Sequence, residues 1–389
     1  MRILMLARDN SLQGGINRHI LAIAPAINGV EGCEVAVCTT SPISELNEAL
    51  TKAGVRTYAL GLPHGHSLRT WRRFRRVMRD FRPDVVHAHS MSIMVRIYLG
   101  LFCRKVPIVV TCHVLSDSDS GVRKKTWRDR LDALADKILP GRPRKTIFIS
   151  RGVADAYGCP FGTVVYNPVR FDEGSFSCSK NNLRMELGLP SDVLLIGTSC
   201  RVAPVKRPLV FVRVMCDVLK VIPRAHAVVC GTSQDPALMR ELMCMVDESG
   251  VGARFHWLGY RSDAAKITAE LDCFVMTSAT EGMPTALLEA MSAKTPIAFM
   301  RGKGGLVDLD ELNNSEGPFA VVVDADDVEG LTREIGQLLE HPDEAKRRAA
   351  HAFDVGARHF NVEDVKPQLV EIYRRLLSQR LRQGVGLHV

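Results

Sequence analysis

Short apolar runs alternate with longer helix-patterned segments along the whole chain, and the alternation starts over near its middle. In the first half Arg2–Ala7, Glu34–Thr39, Arg56–Ala59, Val85–Ala88, Ile108–Cys112 and Thr146–Ile149 read as strands. Ile16–Ile27, Ser44–Ala53, Ser67–Phe81 and Lys125–Ile138 read as helices between them. Val164–Val169 reads as a strand running into a hinge. Beyond it come strands at Val193–Ser199, Ala225–Cys230, Phe255–Leu258, Cys273–Met276, Pro296–Phe299 and Phe319–Val323, with helices that include Pro208–Val221 and Pro236–Asp247. Strands that are apolar throughout are buried on both faces, as they are in parallel sheets covered by helices. Strand–helix alternation is the pattern of a doubly wound α/β sheet. The chain is therefore expected to form two Rossmann-like α/β domains of similar size facing each other across a cleft. They are placed at residues 1–168 and 169–365, and a last helix at about Val365–Arg382 closes the chain.

Composition narrows the setting. With 389 residues, 46% of them hydrophobic, the chain has material for two large cores. No apolar run approaches the ~18 residues that a membrane-spanning helix needs, so no span is expected. The N-terminus MRILMLARDN reads as a strand rather than a secretion signal, because charge interrupts it early. Eleven cysteines stand singly, with no CxxC pair, and read as free thiols in a reducing cytoplasm. The net charge of +8 is uneven: residues 1–170 hold 26 Lys+Arg against 13 Asp+Glu, and the remainder is net acidic. Positive charge confined to the first half points to an anionic surface or substrate there.

The most informative stretch is Thr280-Glu281-Gly282-Met283-Pro284-Thr285-Ala286-Leu287-Leu288-Glu289-Ala290-Met291, which follows the strand Cys273–Met276. Gly282 and Pro284 mark a turn, and Leu287–Met291 are strong helix formers. Strand, tight turn and helix N-terminus aim backbone N–H groups and the positive end of the helix dipole at one spot, which suits a phosphate or a developing anion. Glu281 and Glu289 can accept hydrogen bonds from sugar hydroxyls and from a ribose. The alternative is an ordinary capped helix with solvated glutamates. This stretch resembles the paired-glutamate signature of retaining, nucleotide-sugar-dependent glycosyltransferases of family 4, which have the GT-B fold.

The resemblance extends along the chain. Gly14 and Gly15, in QGGINRHI after the first strand, are similar to the family's glycine-rich loop, although the acidic residue often seen after the glycines is absent. A diglycine also fits a plain strand–helix turn, and it is not the GxGxxG dinucleotide fingerprint. Arg201 and Lys206 in SCRVAPVKRPLV resemble the pair that holds the donor diphosphate and stabilises the leaving group, a role Mg²⁺ fills elsewhere. Where the family usually has glycine after the lysine, this chain has Arg207 and Pro208. His113, at the end of Pro107–Cys112, resembles the active-site histidine that contacts the donor sugar and assists the acceptor; a capping histidine is its competitor. The strand end His256-Trp257-Leu258-Gly259-Tyr260 resembles the nucleobase pocket, with Leu258 among the donor contacts. Cys230-Gly231-Thr232 resembles a glycine turn facing the diphosphate. The resemblance implies that Glu289 holds the ribose, and that Glu281 with Gly282, Met283, Pro284 and Thr285 holds the transferred sugar and phosphates. It also implies that the last helix, residues 366–389, packs back on an acceptor-binding N-terminal domain, and that the donor binds the C-terminal one. No cofactor and no metal are expected, the nucleotide sugar being a substrate.

His87 and His89 alternate onto one strand face, and without a third ligand nearby they read as poor metal candidates, His89 as structural. Asp324-Ala325-Asp326 and Asp117-Ser118-Asp119 have metal-like spacing, but neither follows a strand near the diphosphate site. Seven arginines crowd Arg69–Arg82, and Trp71, Phe74, Met78 and Phe81 recur at helical spacing among them. That stripe faces either the core or an anionic membrane surface, with Arg72, Arg73, Arg75 and Arg76 meeting head groups. Lys124 and Lys125 lie in the expected acceptor region. The reading is a cytoplasmic, peripherally membrane-associated, metal-independent retaining hexosyltransferase acting on a lipid-linked, lipopolysaccharide or other surface-glycan acceptor. Alternatives are a soluble phosphorylated acceptor, a GT-B nucleotide-sugar epimerase, and a nucleic-acid binder. Against the last, the arginines are interleaved with apolar residues and no recognition module is visible.

Overall fold

The computed structural model describes residues 1–7, 14–43, 45–61, 68–89, 93–103, 106–113, 144–172 and 182–385. The chain divides into two compact units, Met1–Pro168 with Val362–Val389, and Val169–Asn361. Both are parallel-sheet α/β layers of the Rossmann type.

The first unit is built on a seven-stranded parallel sheet: β1 (Arg2–Ala7), β2 (Glu34–Thr39), β3 (Arg56–Ala59), β4 (Val85–Ala88), β5 (Ile108–Cys112), β6 (Arg144–Phe148) and β7 (Thr163–Val164). Its order is 3-2-1-4-5-6-7. Ile3, Leu4 and Met5 are fully buried, as strands covered on both faces must be. Helices α1 (Gly15–Ile27), α2 (Glu45–Lys52), α3 (Leu68–Phe81) and α4 (Ile93–Phe102) are the connections. The last helix, Val362–Val385, belongs to this unit. Its buried Val365, Leu369, Val370, Tyr373 and Leu376 recur at helical spacing and join Ile20, Ile23, Ala24 and Ile27 of α1 in one core.

Two differences from the sequence reading stand out. The helix α4 was not anticipated, because Ile93–Phe102 is apolar nearly all round and gives no clear period. The apolar stripe of α3 faces the core: Phe74, Val77, Met78 and Phe81 are buried with Leu4, Leu6, Val86 and Leu99. Burying such side chains stabilises the fold by roughly 1.5–3 kcal/mol each, so Phe74 is unavailable to lipid. Trp71, half-buried, packs edge-on to Tyr98 and against Phe102. Arg72, Arg75 and Arg76 are exposed on the opposite face. Arg73 instead donates to the carbonyl of Leu60. The helix expected over Lys125–Ile138, with Lys124 and Lys125, lies outside the described residues.

The second unit carries a six-stranded parallel sheet of order 10-9-8-11-13-15. Its strands are β8 (Leu194–Ser199), β9 (Ala225–Cys230), β10 (Phe255–Gly259), β11 (Cys273–Met276), β13 (Ile297–Met300) and β15 (Val321–Val323). A small parallel pair, β12 (Thr280–Glu281) and β14 (Lys303–Gly304), stands beside it. Helices Pro208–Val221, Pro236–Glu248 and Val328–Glu340 contribute Phe211, Val214, Leu242, Leu331 and Ile335 to its core. Ser292 Oγ donates to the carbonyl of Arg170 and ties helix Thr285–Ser292 to the start of the unit.

Candidate active site

In an open parallel sheet, ligands bind beyond the strand C-termini at the point where strand order reverses. In the second unit that point is between β8 and β11, and the loops leaving these two strands carry Arg201, Lys206, Glu281 and Glu289. Lys206 Nζ donates to Glu281 Oε1 at 2.5 Å, with side-chain exposures of 17% and 10%. A nearly buried ion pair in a ligand-binding crevice is costly to form unless other groups complete it, and here it joins the two residues that the paired motifs single out. Arg201 is exposed one turn earlier on the same loop.

Backbone contacts stitch the loops together. Thr277 Oγ1 donates to the carbonyl oxygens of Lys206 (3.1 Å) and Arg207 (3.3 Å), and Ala279 N donates to Val205 O at 3.0 Å. Arg207 adopts the left-handed conformation (φ 53°), which explains why glycine suits this position. The conformation is held by the Arg207–Asp326 ion pair and an Arg207 N to Pro204 O bond of 2.9 Å. Asp326 therefore does reach the lysine loop, contrary to the sequence reading, but as an arginine partner. Asp324 pairs with Arg301 at 2.5 Å. Asp117 and Asp119 lie outside the described residues.

Gly231 ends β9 against the arginine loop: a Cβ there would stand 1.8 Å from the carbonyl oxygen of Cys200. Only glycine allows that approach, which Val202 N extends by donating to Thr232 O at 2.9 Å. Leu258 and Trp257 are half-buried at the end of β10, and Gly259 (φ 66°) turns the chain beside Thr232. Trp257, Lys206, Cys200, Phe211, Thr277 and Ser278 line one pocket. Glu281 sits on β12, Met283 is buried, and Pro284 caps the helix Thr285–Ser292, whose first turn is bonded back to Pro284 O by Leu287 N at 2.9 Å. Gly282 and Thr285 are half-buried at the turn, and Glu289 lies half-buried on the helix's second turn.

In the first unit the reversal lies between β1 and β4. There Gly14 caps α1 through its carbonyl, accepting from Asn17 N (3.1 Å) and Arg18 N (3.2 Å), and Gly15 is exposed. Four histidines gather at this end. His87 on β4 bonds Tyr373 OH and Thr111 Oγ1 through its two ring nitrogens, each at 2.7 Å. His89 Nδ1 lies 3.0 Å from His113 Nε2. His19, from α1, stands with its ring centre 5.1 Å from that of His89 and 4.9 Å from that of His113. Sequence reading passed over His19; its only signal was a lone histidine four residues beyond Gly15. The third ligand type said to be missing beside His89 is supplied by α1, a correction to the metal argument. Burial lowers the pKa of His19 and His87 to about 3 and holds His89 and His113 well below the ordinary histidine value, neighbouring rings adding to the effect. All four rings are neutral at pH 7. His113 is therefore a weak base in the unliganded protein, less ready for proton transfer than its ordinary pKa suggests.

The profile described as Glycosyltransferase Family 4 matches residues 13–173, and that described as Glycosyl transferases group 1 matches residues 179–354. The two matches mark one glycosyltransferase domain in each half of the chain. D-inositol 3-phosphate glycosyltransferase of Corynebacterium urealyticum is 29% identical over 201 residues, covering 50% of this chain and 46% of the relative. 2-Deoxystreptamine N-acetyl-D-glucosaminyltransferase of Streptomyces fradiae is 27% identical over 323 residues, 79% of this chain and 75% of the relative. UDP-Gal:alpha-D-GlcNAc-diphosphoundecaprenol alpha-1,3-galactosyltransferase of Escherichia coli is 29% identical over 232 residues, 57% of this chain and 58% of the relative. The chain thus spans about half the length of two of these three. Anabaena HepE, solved in complex with UDP and glucose, superposes with a TM-score of 0.78 at 18% identity, covering 96% of this chain and 100% of that one. This places the chain in the GT-B fold.

Proposed function

We propose that this chain is a retaining family 4 hexosyltransferase that moves a sugar from a nucleoside diphosphate to a lipid-linked, lipopolysaccharide or other surface-glycan acceptor. The observation that carries the proposal is the Lys206–Glu281 pair at the strand-order reversal of the second unit, beside Arg201 and a helix N-terminus. Arg201 and Lys206 hold the diphosphate and stabilise charge on the departing phosphate, so no metal is needed there. Glu281 and the Gly282–Met283 backbone hold the transferred sugar, and Glu289 holds the ribose. The C1–O bond to phosphate breaks, the acceptor oxygen bonds C1 on the same face, and the acceptor proton passes to the leaving phosphate oxygen. His113, a neutral and weakly basic ring of the first unit, orients the acceptor hydroxyl without taking its proton. The relatives name lipid-diphosphate and inositol-phosphate acceptors, and the basic first half suits either anion.

The test is a thermal-shift screen of nucleotide sugars, followed by NMR of the product's anomeric configuration. Retention, with activity intact in EDTA, is the expected result. Inversion, or loss in EDTA restored by Mg²⁺ or Mn²⁺, would reject the mechanism. Glu281→Gln is expected to lower turnover with nearly unchanged diphosphate affinity, whereas Glu289→Gln weakens the nucleotide itself. Equal effects on free diphosphate binding would show the roles are misassigned.

We also propose that the chain works at an anionic membrane surface. The support is a revised one: Leu101 and Phe102 are 51% and 61% exposed at the end of α4, and Phe102 packs on Trp71 of α3, the helix that exposes Arg72, Arg75 and Arg76. Each basic residue near such a surface contributes about 1 kcal/mol, screened by salt. The parent protein should sediment with phosphatidylglycerol vesicles at low salt and be released at high salt. The Arg72/Arg75/Arg76→Gln variant should stay in the supernatant while still binding nucleotide. Indifference of the parent to anionic vesicles would favour a soluble phosphorylated acceptor.

A further inference from the structure

The histidine cluster of the first unit has a chemistry that sugar transfer does not use. One ring nitrogen from each of His19, His89 and His113 lies within 4.8 Å of the other two, and all three side chains are buried. Among the described residues, neither ring nitrogen of His19 meets a hydrogen-bond partner of regular geometry, and His89 Nε2 has none. Asn167 lies close enough to His19 to interact with its ring, but its Oδ1 makes no hydrogen bond of regular geometry among the described residues. Buried polar atoms left without partners cost about 1–3 kcal/mol each, so a native interior rarely keeps several together without a ligand for them.

The fourth ring is set apart. His87 spends both nitrogens on Tyr373 and Thr111, with its ring centre 4.1 Å from that of His89, so it buttresses the cluster instead of joining it. Each of the remaining three can offer a ring-nitrogen lone pair, the form in which imidazole ligates metals. An ion bound at ~2.1 Å by tetrahedral nitrogens holds them ~3.4 Å apart. His89 Nδ1 and His113 Nε2 are 3.0 Å apart as a hydrogen-bonded pair, and no spacing in the cluster exceeds 4.8 Å, so ring shifts of about 1 Å, which break that bond, would close the site.

We propose that His19, His89 and His113 bind one divalent late transition-metal ion of the zinc class. Three imidazoles without thiolate are ligands that suit zinc, copper and nickel over magnesium and calcium. Among the described residues no carboxylate or cysteine joins them, which leaves a fourth position for a water, hydroxide or substrate oxygen, as in open three-histidine sites. The donors come from α1, from the residue after β4 and from the residue after β5, so the ion would tie three connections of the sheet together. An ion here occupies His113, and zinc loading is then expected to oppose transfer, a consequence that rests on the transferase reading. The site itself does not rest on it.

The test uses metal-stripped full-length protein titrated with Co²⁺ and Zn²⁺ and read without activity. Expected are one ion per chain by elemental analysis, visible absorption typical of tetrahedral cobalt, and no thiolate-to-cobalt charge-transfer band. His19→Gln and His89→Gln are each expected to lose at least tenfold in affinity. His226→Gln, which removes one ring of the stacked His226–His256 pair in the other unit, should lose nothing. X-ray absorption of the zinc-loaded parent keeps the test independent of whether the variants fold, and three imidazole donors are expected. No binding, sulfur donors, or loss confined to His226→Gln would overturn the site while leaving the transferase reading in place.

Discussion

Replacing Arg201 and Lys206 together with alanine is expected to weaken binding of a nucleoside diphosphate by about 10²–10⁴-fold. Two charge-assisted contacts at roughly 1.5–3 kcal/mol each sum to that range, at about 1.4 kcal/mol per decade. The free protein adds a complication that the sequence did not show. Lys206 is already bonded to Glu281 at 2.5 Å, with the carboxylate 10% exposed. Donor binding must therefore share or break this pair, and removing the lysine alone strands a nearly buried carboxylate, which costs stability as well as affinity. Calorimetry should accordingly compare the double variant with Lys206→Ala/Glu281→Gln, in which no charge is stranded. Diphosphate affinity should be low in both, and the melting temperature should recover in the second. Parent-like affinity in the Arg201/Lys206 variant would remove both residues from the diphosphate site.

The pairing of Lys206 with Glu281 marks the boundary of what could be read from residues alone. Both were singled out, because a cation after one strand and a glutamate on a Gly-Pro turn are local features with local physics. That they touch depends on β8 and β11 being neighbours in a sheet, and no spacing in the chain encodes a contact across 75 residues. The same limit hid the histidine cluster. His89 and His113 announced themselves as strand-end residues, but His19 sits inside an apolar helix and gains its meaning only when β1, β4 and β5 stand side by side. Strands such as β1, β2, β5 and β9 were legible to the residue, since a run buried on both faces leaves an unbroken apolar signature. The stripe on α3 shows the converse: Trp71, Phe74, Met78 and Phe81 make the same pattern whether the helix meets lipid or core. Only the packing of Phe74 and Phe81 against β1 and β4 residues decides for the core. The exposed Leu101–Phe102 tip was missed because α4 has no strong period to reveal it.

Acid should destabilise the first unit well before carboxylates begin to titrate. His19 and His87 hold folded-state pKa values of about 3 because burial penalises their charged form, whereas an unfolded histidine titrates near 6.5. A depressed folded pKa means the unfolded chain binds the proton more tightly. Stability is therefore fully present above pH 6.5 and falls as the pH drops from 6.5 toward 3. The loss is about 1.36 kcal/mol per pH unit for each ring, or about 2 kcal/mol per ring at pH 5. Together His19 and His87 forfeit about 4 kcal/mol there, a large share of the 5–15 kcal/mol that holds a typical domain. His89 and His113 act in the same direction. Asp263 and Glu316, held low by Arg261 and Arg358, also lose stability in acid, but only below the ordinary carboxylate range. The interval from pH 6.5 to 5 thus belongs to histidines. His226 and His256 are lowered as well, so the measurement must resolve the two units. Hydrogen exchange of β1 and β4 amides under mild urea, at pH 7, 6 and 5 with the intrinsic rates corrected, does so. His87→Gln should reduce the pH slope of the first unit by about 1.36 kcal/mol per unit whatever it does to the absolute stability. A first unit whose protection is flat from pH 7 to 5, or a His87→Gln slope equal to the parent's, would mean that these rings are not held neutral by burial.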